Sequence, residues 1–378
     1  MYNIALSLKN TGCEVNILAF NTKKHFVSDD KIDVDFKSQF GLEWVYLDAS
    51  VKPIPAFLNL FKNDSYNISR FISADFNETL IQLLNKTLFN IVQMEGLFMA
   101  PYVETVRKHS SAKIVMRAHN IEHVIWQRLY ASEKSFVKKW YLMVLAKRLY
   151  DYEKNVLNNF DALLPLTPDD ENGFKKLGCS IPTKIIPIGV NTASYLPIET
   201  GFDQPTLFHL GSMDWMPNIE GVEWFLENVL AGLIAKIPNI KLFLAGKAMP
   251  VKIFKMKSDN LFVLGKVSDA KSFMAIHPIM IVPLLSGSGM RVKILEGLAA
   301  GNVIISTTIG AEGINYTDGK NLFIADTPKE FTDCIYKLYN DKQLLLSVSE
   351  NAKQLAHNEY DNNVIGNRLT AFYNQLLQ

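Results

Sequence analysis

Short apolar runs alternate with longer segments of helical periodicity along nearly the whole chain. Five runs in the first half have strand character: "VNILAF" (15–20), "NIVQM" (90–94), "AKIVMRA" (112–118), "DALLPLT" (161–167) and "TKIIPIG" (183–189). Five more follow in the second half: "TLFHLG" (206–211), "KLFLAG" (241–246), "LFVLG" (261–265), "PIMIVPL" (278–284) and "NVIIST" (302–307). Several are apolar at nearly every position, which is typical of strands buried on both faces of a parallel sheet. The alternation predicts an α/β fold with parallel sheets.

The length of the chain and one change in composition divide it into two domains. A chain of 378 residues is too long for one ordinary hydrophobic core. Residues 187–205 hold three prolines and two glycines without helical periodicity, which indicates an interdomain linker. The boundaries predicted are an N-terminal domain over 1–186 and a second domain over 206–345. A helical tail follows over 346–378, and the N-terminal domain is one surface against which it can pack.

Composition excludes several classes of protein. Lys and Arg number 39 against 38 Asp and Glu, so the basic excess typical of a nucleic-acid-binding protein is missing and no nucleic-acid partner is expected. The three cysteines are widely separated and lack CxxC spacing, so neither a zinc site nor a disulfide framework is predicted. The chain has no signal-peptide pattern at its start and no apolar run of membrane-spanning length. These features predict a cytoplasmic protein.

The beginning of the chain departs from the order of a parallel α/β domain. Ile4, Ala5 and Leu8 lie at helical spacing, and "NTG" ends this helix before the first strand-like run. Such a domain normally begins with a strand and a tight turn. Either the domain is unusual, or a strand and a glycine-rich loop are missing upstream. In the second case we expect a sheet that lacks one strand and a chain that binds nucleotide but turns over poorly.

The segment "SGSGMRVKILEGLAAG" (286–301) combines a glycine turn with a helix start and charged side chains. Glycines let the backbone approach a ligand, and the free amides at a helix start suit a phosphate. Arg291 and Lys293 add positive charge suited to a diphosphate, and Glu296 offers a carboxylate for two ribose hydroxyls. On spacing alone, a mere turn followed by a solvated Lys–Glu pair is equally consistent with the segment.

Several motifs resemble the family four (group one) glycosyltransferases. They are "RVKILEGLAAGNVIISTTIGAEGI" (291–314), "GKVSD" (265–269), "FDALLPLTPDD" (160–170), "IIPIGVN" (185–191) and "RAHNIEH" (117–123), and they cover nearly the whole chain in order. The resemblance implies two Rossmann-like domains that face each other across a cleft, the glycosyltransferase B-type fold. It also implies that a nucleotide sugar binds mainly to the C-terminal domain and the acceptor to the N-terminal domain.

The resemblance assigns roles to individual residues. Glu296 matches the glutamate that holds the ribose hydroxyls, and Arg291 and Lys293 match positions that neutralise the leaving diphosphate. Val267 matches a position whose backbone meets the nucleobase, and His119 matches the histidine that reaches the transferred sugar. A lone histidine at such a position is otherwise more often structural.

The glycine turn itself is assigned to the diphosphate and the sugar, through Gly287, Ser288, Gly289 and Met290. Many members of the family carry a glutamate eight residues before the one matched by Glu296. Ser288 stands at that position here. Since that glutamate contacts the donor sugar, the identity of the sugar stays open.

The loop that opens the second domain also departs from the family. Many members carry an arginine and a lysine there, whereas "GSMDWMPN" (211–218) has no basic residue. Gly211 and Ser212 end a strand and keep the backbone geometry of a donor-binding loop, while Asn218 or Trp215 is a candidate to replace the missing contacts. For Trp215, a packed loop aromatic is the favoured alternative. Arg291 and Lys293 then become the main cations available.

Two further groups of basic residues are candidates for contact with anionic ligands or surfaces. Lys247 and Lys266 each follow a strand and are candidates for approach to a phosphate. The basic and aromatic segment 134–157 is consistent with a helix on an anionic membrane surface, although its apolar centre favours a packed core helix.

Together these features predict a glycosyltransferase that moves a sugar from a nucleotide diphosphate sugar to a hydroxyl of a glycan or lipid-linked acceptor. The resemblance implies retention of anomeric configuration and no metal or other cofactor. Peripheral contact with the inner face of a membrane remains an alternative for its location, and the oligomeric state stays open. Two other functions remain: a nucleotide-sugar epimerase and a non-catalytic sugar-nucleotide-binding protein.

Overall fold

The structure, a computed structural model, describes residues 2–62, 64–196, 198, 202–287 and 289–378. It confirms the α/β fold, and its named strands all pair in parallel. The chain forms two compact units, one of Met1–Pro187 with Gly366–Gln378 and one of Ile188–Ile365. No helix within the described residues is both long and apolar enough to cross a membrane.

The strands are β1 (Leu18–Thr22), β2 (Glu43–Leu47), β3 (Ile91–Glu95), β4 (Lys113–Ala118), β5 (Ala162–Pro165), β6 (Leu207–Leu210), β7 (Leu242–Ala245), β8 (Leu261–Gly265), β9 (Ile279–Val282), β10 (Val303–Ser306) and β11 (Phe323–Ile324). The helices are α1 (Tyr2–Asn10), α2 (Val34–Gln39), α3 (Pro53–Asn59), α4 (Tyr66–Ser69), α5 (Ala74–Lys86), α6 (Val103–His109), α7 (Glu122–Ser132), α8 (Phe136–Val156), α9 (Pro168–Leu177), α10 (Met216–Asn228), α11 (Leu230–Lys236), α12 (Val251–Phe254), α13 (Ala270–Ala275), α14 (Val292–Ala300), α15 (Pro328–Asn340), α16 (Lys342–Leu355) and α17 (Asn362–Leu377).

The second unit is built on one six-stranded sheet with the order β11-β10-β9-β6-β7-β8. All four residues of β9 are buried, and they divide between the two faces of the sheet. Ile279 and Ile281 join one apolar cluster, whereas Met280 and Val282 join the other. A strand covered on both faces needs apolar side chains at every position, which explains the unbroken apolar runs of this half of the sequence.

The strands of the first unit form two smaller sheets, one of β1 and β2 and one of β3, β4 and β5. β2 was not predicted, because none of its residues is fully buried and its sequence "EWVYL" begins with a charge. β1 begins three residues later than the predicted run that starts at Val15. The apolar runs therefore located the buried strands better than the half-exposed ones.

The prediction of a strand over 183–189 is wrong in extent. Lys184 N–H donates to Leu163 O at 3.1 Å and Ile186 N–H donates to Pro165 O at 2.9 Å, but only an isolated bridge forms, between Leu163 and Thr183. Pro165 and Pro187 lack backbone amides, so the ladder cannot continue past them.

The two ends of the described chain meet within the first unit. α1 buries Ile4, Ala5 and Leu8, the apolar positions that its spacing predicted. The hydroxyls of Thr11 and Thr370 lie 2.7 Å apart, so the last helix lies against the loop that follows α1. Residues 366–378 of the helical tail thus cluster with the first unit, while the part of the tail before them clusters with the second.

Candidate functional site

A cavity of about 610 Å³ opens at the carboxyl ends of the strands of the second unit. Its walls come from the segments that follow β6, β7, β8 and β9 and from the first turns of α14. The order of the sheet reverses between β6 and β9. The chain adds β7 and β8 on one side of β6 and then β9, β10 and β11 on the other side. In open α/β sheets, ligands bind at such a reversal outside the carboxyl ends of the strands.

The structure brings seven of the predicted site residues together on this cavity: Gly211, Ser212, Val267, Met290, Arg291, Lys293 and Glu296. Lys247, Lys266, Trp215 and Asn218 line it as well. Gly287 and Gly289 lie in the adjoining turn, and Ser288 lies outside the described residues. His119 belongs to the first unit.

Gly211 marks a close approach of the backbone to two buried side chains. A Cβ atom at this position would lie 2.8 Å from Asn218 Nδ2 and 3.1 Å from His209 Nε2. Asn218 is buried, and its Nδ2 donates to Ser212 O at 2.8 Å. This bond fixes the loop between β6 and α10, so the backbone of Gly211 and Ser212 forms a firm wall of the cavity.

The glycine turn before α14 adopts the left-handed backbone that its composition predicts. Gly287 has φ +110° and Gly289 has φ +82°. The amide of Gly289 donates to Glu312 Oε2 at 3.0 Å, so this carboxylate holds the turn. The free amides suited to a phosphate were predicted at the start of α14, whereas the amide of Gly289 in the preceding turn is engaged by Glu312. An anion that used it would have to displace the carboxylate.

Arg291 is buried next to the turn. Its Nη1 donates to Gly289 O at 2.7 Å, and its guanidinium carbon lies 5.3 Å from the centre of the Trp215 ring. Stacking on an aromatic ring and a bond to the backbone both restrict the rotamers of a long side chain. The positive charge of Arg291 is therefore held in place on the wall of the cavity.

Lys293 stands on the first turn of α14 with a neutral partner. Its Nζ donates to Asn218 Oδ1 at 2.8 Å. Burial, together with the nearby charge of Arg291, lowers the pKa of Lys293 to about 7. A lysine near half protonation at neutral pH gains its charge fully when an anion binds beside it.

His209 lies beneath the same loop and is completely buried in β6. Its Nδ1 lies 3.1 Å from Ile281 O and donates to that carbonyl. Burial, and then the charge of Lys293, lowers the pKa of His209 well below its usual value. The ring is therefore neutral near pH 7, and it adds no positive charge to the cavity.

Glu296 lies one turn further along α14 and is partly buried. Tyr195 and Lys271 lie close enough to favour its charged form. Burial raises the pKa of Glu296, and these two neighbours offset part of that rise. Glu296 therefore places a carboxylate on the cavity wall, on the helix whose start carries Arg291 and Lys293.

The predicted histidine of the first unit follows β4 and contacts an acidic neighbour from β3. His119 Nε2 lies 2.5 Å from Glu95 Oε2, and Arg117 Nη1 lies 3.4 Å from the same oxygen. Burial alone would raise the pKa of Glu95, but the bond from His119 and the charge of Arg117 outweigh it and lower that pKa to about 2. An ionised carboxylate thus fixes the ring of His119 at the end of the strand.

Three polar residues of the second-unit site were not found from the sequence. His209 interrupts the apolar run "TLFHLG", and this polar residue in a buried strand was the available signal. Glu312 and Tyr195 reach the site from loops that are distant in the sequence from the motif they contact. Neither helical periodicity nor local residue spacing can predict such long-range contacts. Within the described residues, no group of three or more His, Cys, Asp or Glu side chains could hold a metal ion.

Residues 204–341 match the family model described as "Glycosyl transferases group 1". This range contains every predicted site residue except His119. A Klebsiella pneumoniae protein described as "Uncharacterized 44.6 kDa protein in cps region" is 24% identical over 279 residues, which cover 69% of each chain.

Solved structures show the same fold. Sucrose-phosphate synthase from Thermosynechococcus elongatus superposes with a TM-score of 0.70 over 99% of this chain and 91% of the other, at 15% identity. Anabaena HepE, solved in complex with UDP, superposes with a TM-score of 0.65 over 90% of this chain and 88% of the other, at 14% identity. At these identities the likeness establishes the fold, which is the B-type fold of glycosyltransferases.

Proposed function

We propose that the protein is a glycosyltransferase, since residues 204–341 match the group 1 family model, and that it transfers a sugar from a nucleoside diphosphate sugar to an acceptor hydroxyl. The cavity of the second unit binds the donor in this proposal. The observation that carries it is the placement of Arg291, Lys293 and Glu296 on one cavity wall at the reversal of the strand order.

The three side chains match the parts of a nucleoside diphosphate. Two cations fit the two phosphates, and a carboxylate accepts hydrogen bonds from the vicinal hydroxyls of a ribose. Val267 follows β8 on the same cavity, so the base lies against that strand end. The volume of about 610 Å³ falls within the usual range for small-molecule sites. The solved complex of HepE with UDP makes UDP the first nucleotide to test.

The transfer step breaks the bond between the anomeric carbon of the sugar and the β-phosphate oxygen. A new bond forms between that carbon and the acceptor oxygen, and the acceptor proton passes to the departing diphosphate. Arg291 and Lys293 stabilise the negative charge that develops on the leaving group, which is an electrostatic form of catalysis. The reaction proceeds with retention and without a metal ion, and His119 contributes to its rate.

Product analysis tests this proposal. The full chain is incubated with UDP-, GDP- and ADP-sugars, with and without simple glycoside and polyprenyl phosphate acceptors, and nucleoside diphosphate release is measured. We expect release that depends on the acceptor and persists in a chelator, with retained configuration in the product by NMR. Donor isomerised without an acceptor, or no release with any donor, would contradict the proposal.

We further propose that the N-terminal half of α8 lies on an anionic membrane surface. Phe136, Val137 and Trp140 are 85%, 74% and 49% exposed, whereas the later residues Leu145 and Leu149 are buried. Lysines stand among the exposed apolar residues at positions 134, 138 and 139, and no acidic residue occurs from 134 to 150. Such a mixture of aromatic and basic side chains is typical of interfacial helices.

Vesicle flotation tests this second proposal. The chain should float with vesicles that contain phosphatidylglycerol and stay in solution with pure phosphatidylcholine. The double variant F136S/W140S should lose flotation, while L88S, which changes another residue that is 85% exposed in the same unit, should keep it. Equal flotation of the two variants, or a stable dimer that F136S/W140S dissociates, would show that this surface serves another partner.

A further inference from the structure

One side of the three-stranded sheet in the first unit carries polar side chains at neighbouring positions. Gln93 and Glu95 stand two residues apart on β3, so they lie on the same side of the strand. Parallel pairing places Arg117 of β4 opposite Glu95. Met94, the residue between the two polar ones, is buried in the apolar cluster on the other side. The two strands therefore present three adjacent polar residues on the side away from that cluster.

The last helix brings a buried tyrosine to this polar side. Tyr373 of α17 is 6% exposed, and its hydroxyl donates to Gln93 Oε1. Gln93 Nε2 in turn donates to Glu95 Oε1. The other oxygen of the same carboxylate, Oε2, lies 2.5 Å from His119 Nε2. A continuous chain of hydrogen bonds thus runs from α17 to the predicted histidine, and all four residues belong to the first unit.

The chemistry of the groups fixes the direction of each bond in this chain. Burial, and then the charge of Glu95, raises the pKa of Tyr373, so the phenol keeps its proton and donates. Although burial raises the pKa of Glu95, the hydrogen bond from His119 and the charge of Arg117 lower it to about 2. The ionised carboxylate can only accept, so the amide nitrogen of Gln93 must face it. For the same reason, His119 Nε2 carries a proton and donates it.

Each link in the chain restrains the next one. A neutral histidine whose Nε2 donates to a carboxylate is held in one tautomer, in which Nδ1 is the acceptor. A glutamate carboxylate turns easily about its terminal bond, so contact with one oxygen alone leaves its plane poorly defined. Gln93 holds the second oxygen of Glu95, and Tyr373 keeps the amide of Gln93 from turning over. The orientation of the His119 ring therefore depends on a side chain of the last helix.

We propose that Tyr373 and Gln93 are positioning residues that, through Glu95, hold the His119 ring in one tautomer and one orientation for sugar transfer. This inference rests on the proposed function, in which His119 contributes to the rate. A ring with an unprotonated Nδ1 offers an acceptor to a hydroxyl of the substrate. A ring that is already oriented when the substrate arrives does not have to be ordered during the reaction.

Two measurements on the full chain test this inference. The tautomer of His119 is read from two-bond ¹H–¹⁵N spectra of protein labelled with [¹⁵N]histidine, and H119A identifies its signals. Values of kcat and donor KM are measured with the UDP-, GDP- or ADP-sugar and the acceptor that support nucleoside diphosphate release. We expect the Nε2-protonated tautomer in the wild type and a mixture of both tautomers in Y373F and Q93M. In these variants kcat should fall at least threefold, while the donor KM stays within twofold.

Y102F is the matched control, because Tyr102 is also a buried tyrosine of the first unit and its hydroxyl donates to Phe71 O at 2.7 Å. This variant should lose stability as Y373F does but keep the wild-type tautomer and kcat. An equal loss of kcat in Y102F would show that the effect is merely structural and would overturn the inference.

The inference and the proposed function fail in different ways. If H119A lowers the rate of transfer but Y373F and Q93M keep the wild-type tautomer or the wild-type kcat, only the inference is wrong. If the wild type transfers no sugar, the proposed function is wrong. The tautomer of His119 in Y373F and Q93M then decides whether the chain of hydrogen bonds positions the ring.

Discussion

The two units place opposite kinds of chemistry at the ends of their parallel strands. In the second unit, Arg291, Lys293 and Glu296 line one cavity and lie together at the start of one helix. In the first unit, the ends of β3 and β4 bring together Glu95, Arg117 and His119, with the carboxylate as the common partner. The first arrangement suits a ligand with several negative charges. The second holds an imidazole in a fixed orientation.

Removal of Arg291 should have the largest effect on the cationic site. A guanidinium that holds two phosphate oxygens contributes about 3 kcal/mol, so R291A should weaken UDP binding by about 100-fold. Uridine affinity should stay within twofold, because uridine has no phosphate. Isothermal titration calorimetry measures both ligands. K247A is the control, since Lys247 also lines the cavity but pairs with Asp214 at 3.1 Å. Equal losses for UDP and uridine would indicate a folding defect instead.

His119 should affect turnover and leave nucleotide binding unchanged, which is the sharpest contrast between the two units. H119A should lower the rate of sugar transfer at least tenfold while UDP affinity stays within twofold, because the proposed UDP site lies in the second unit. E95Q should change the rate in the same direction, since it weakens the bond that orients the ring. H109A, which changes an exposed histidine at the end of α6, is the control. Full activity in H119A would show that His119 has a structural role and no part in sugar transfer.

Loss of Glu296 should weaken binding of the nucleoside part. A hydrogen bond to a charged group contributes about 1.5–3 kcal/mol, so E296A should reduce UDP affinity at least tenfold. Pyrophosphate affinity should not fall, and the melting temperature should stay close to that of the wild type. A variant with wild-type UDP affinity would remove Glu296 from the site.

The pH dependence of UDP binding should report Lys293. Its pKa of about 7 means that the free protein holds this charge below pH 7 and loses it as the pH rises. Affinity for UDP should therefore fall by roughly tenfold between pH 7 and pH 8.5. The charged and titratable groups that face Lys293 do not interfere, because Arg291 stays charged and His209 stays neutral in this range. K293M should bind UDP more weakly, and its UDP affinity should not change with pH over this range. If the affinity of K293M falls with pH as steeply as that of the wild type, a group other than Lys293 causes the pH dependence.

The sequence was informative where a physical requirement is local. Strands buried on both faces need continuous apolar runs, so β9 and β10 were predicted, whereas β2, in which no residue is fully buried, was not. Arg291, Lys293 and Glu296 lie within six consecutive residues, so their grouping at the start of one helix follows directly from the sequence. The contacts of Tyr195 and Glu312 depend on tertiary structure and have no signature in the sequence.

The central claim, that the cavity of the second unit binds a nucleoside diphosphate through separate phosphate and ribose contacts, is tested by one crossed calorimetric measurement. Wild type, R291A and E296A are each titrated with UDP, uridine and pyrophosphate. We predict that R291A loses affinity for UDP and pyrophosphate but keeps uridine binding, and that E296A loses affinity for UDP and uridine but keeps pyrophosphate binding. Variants that lose all three ligands in equal proportion, or none of them, would contradict the claim.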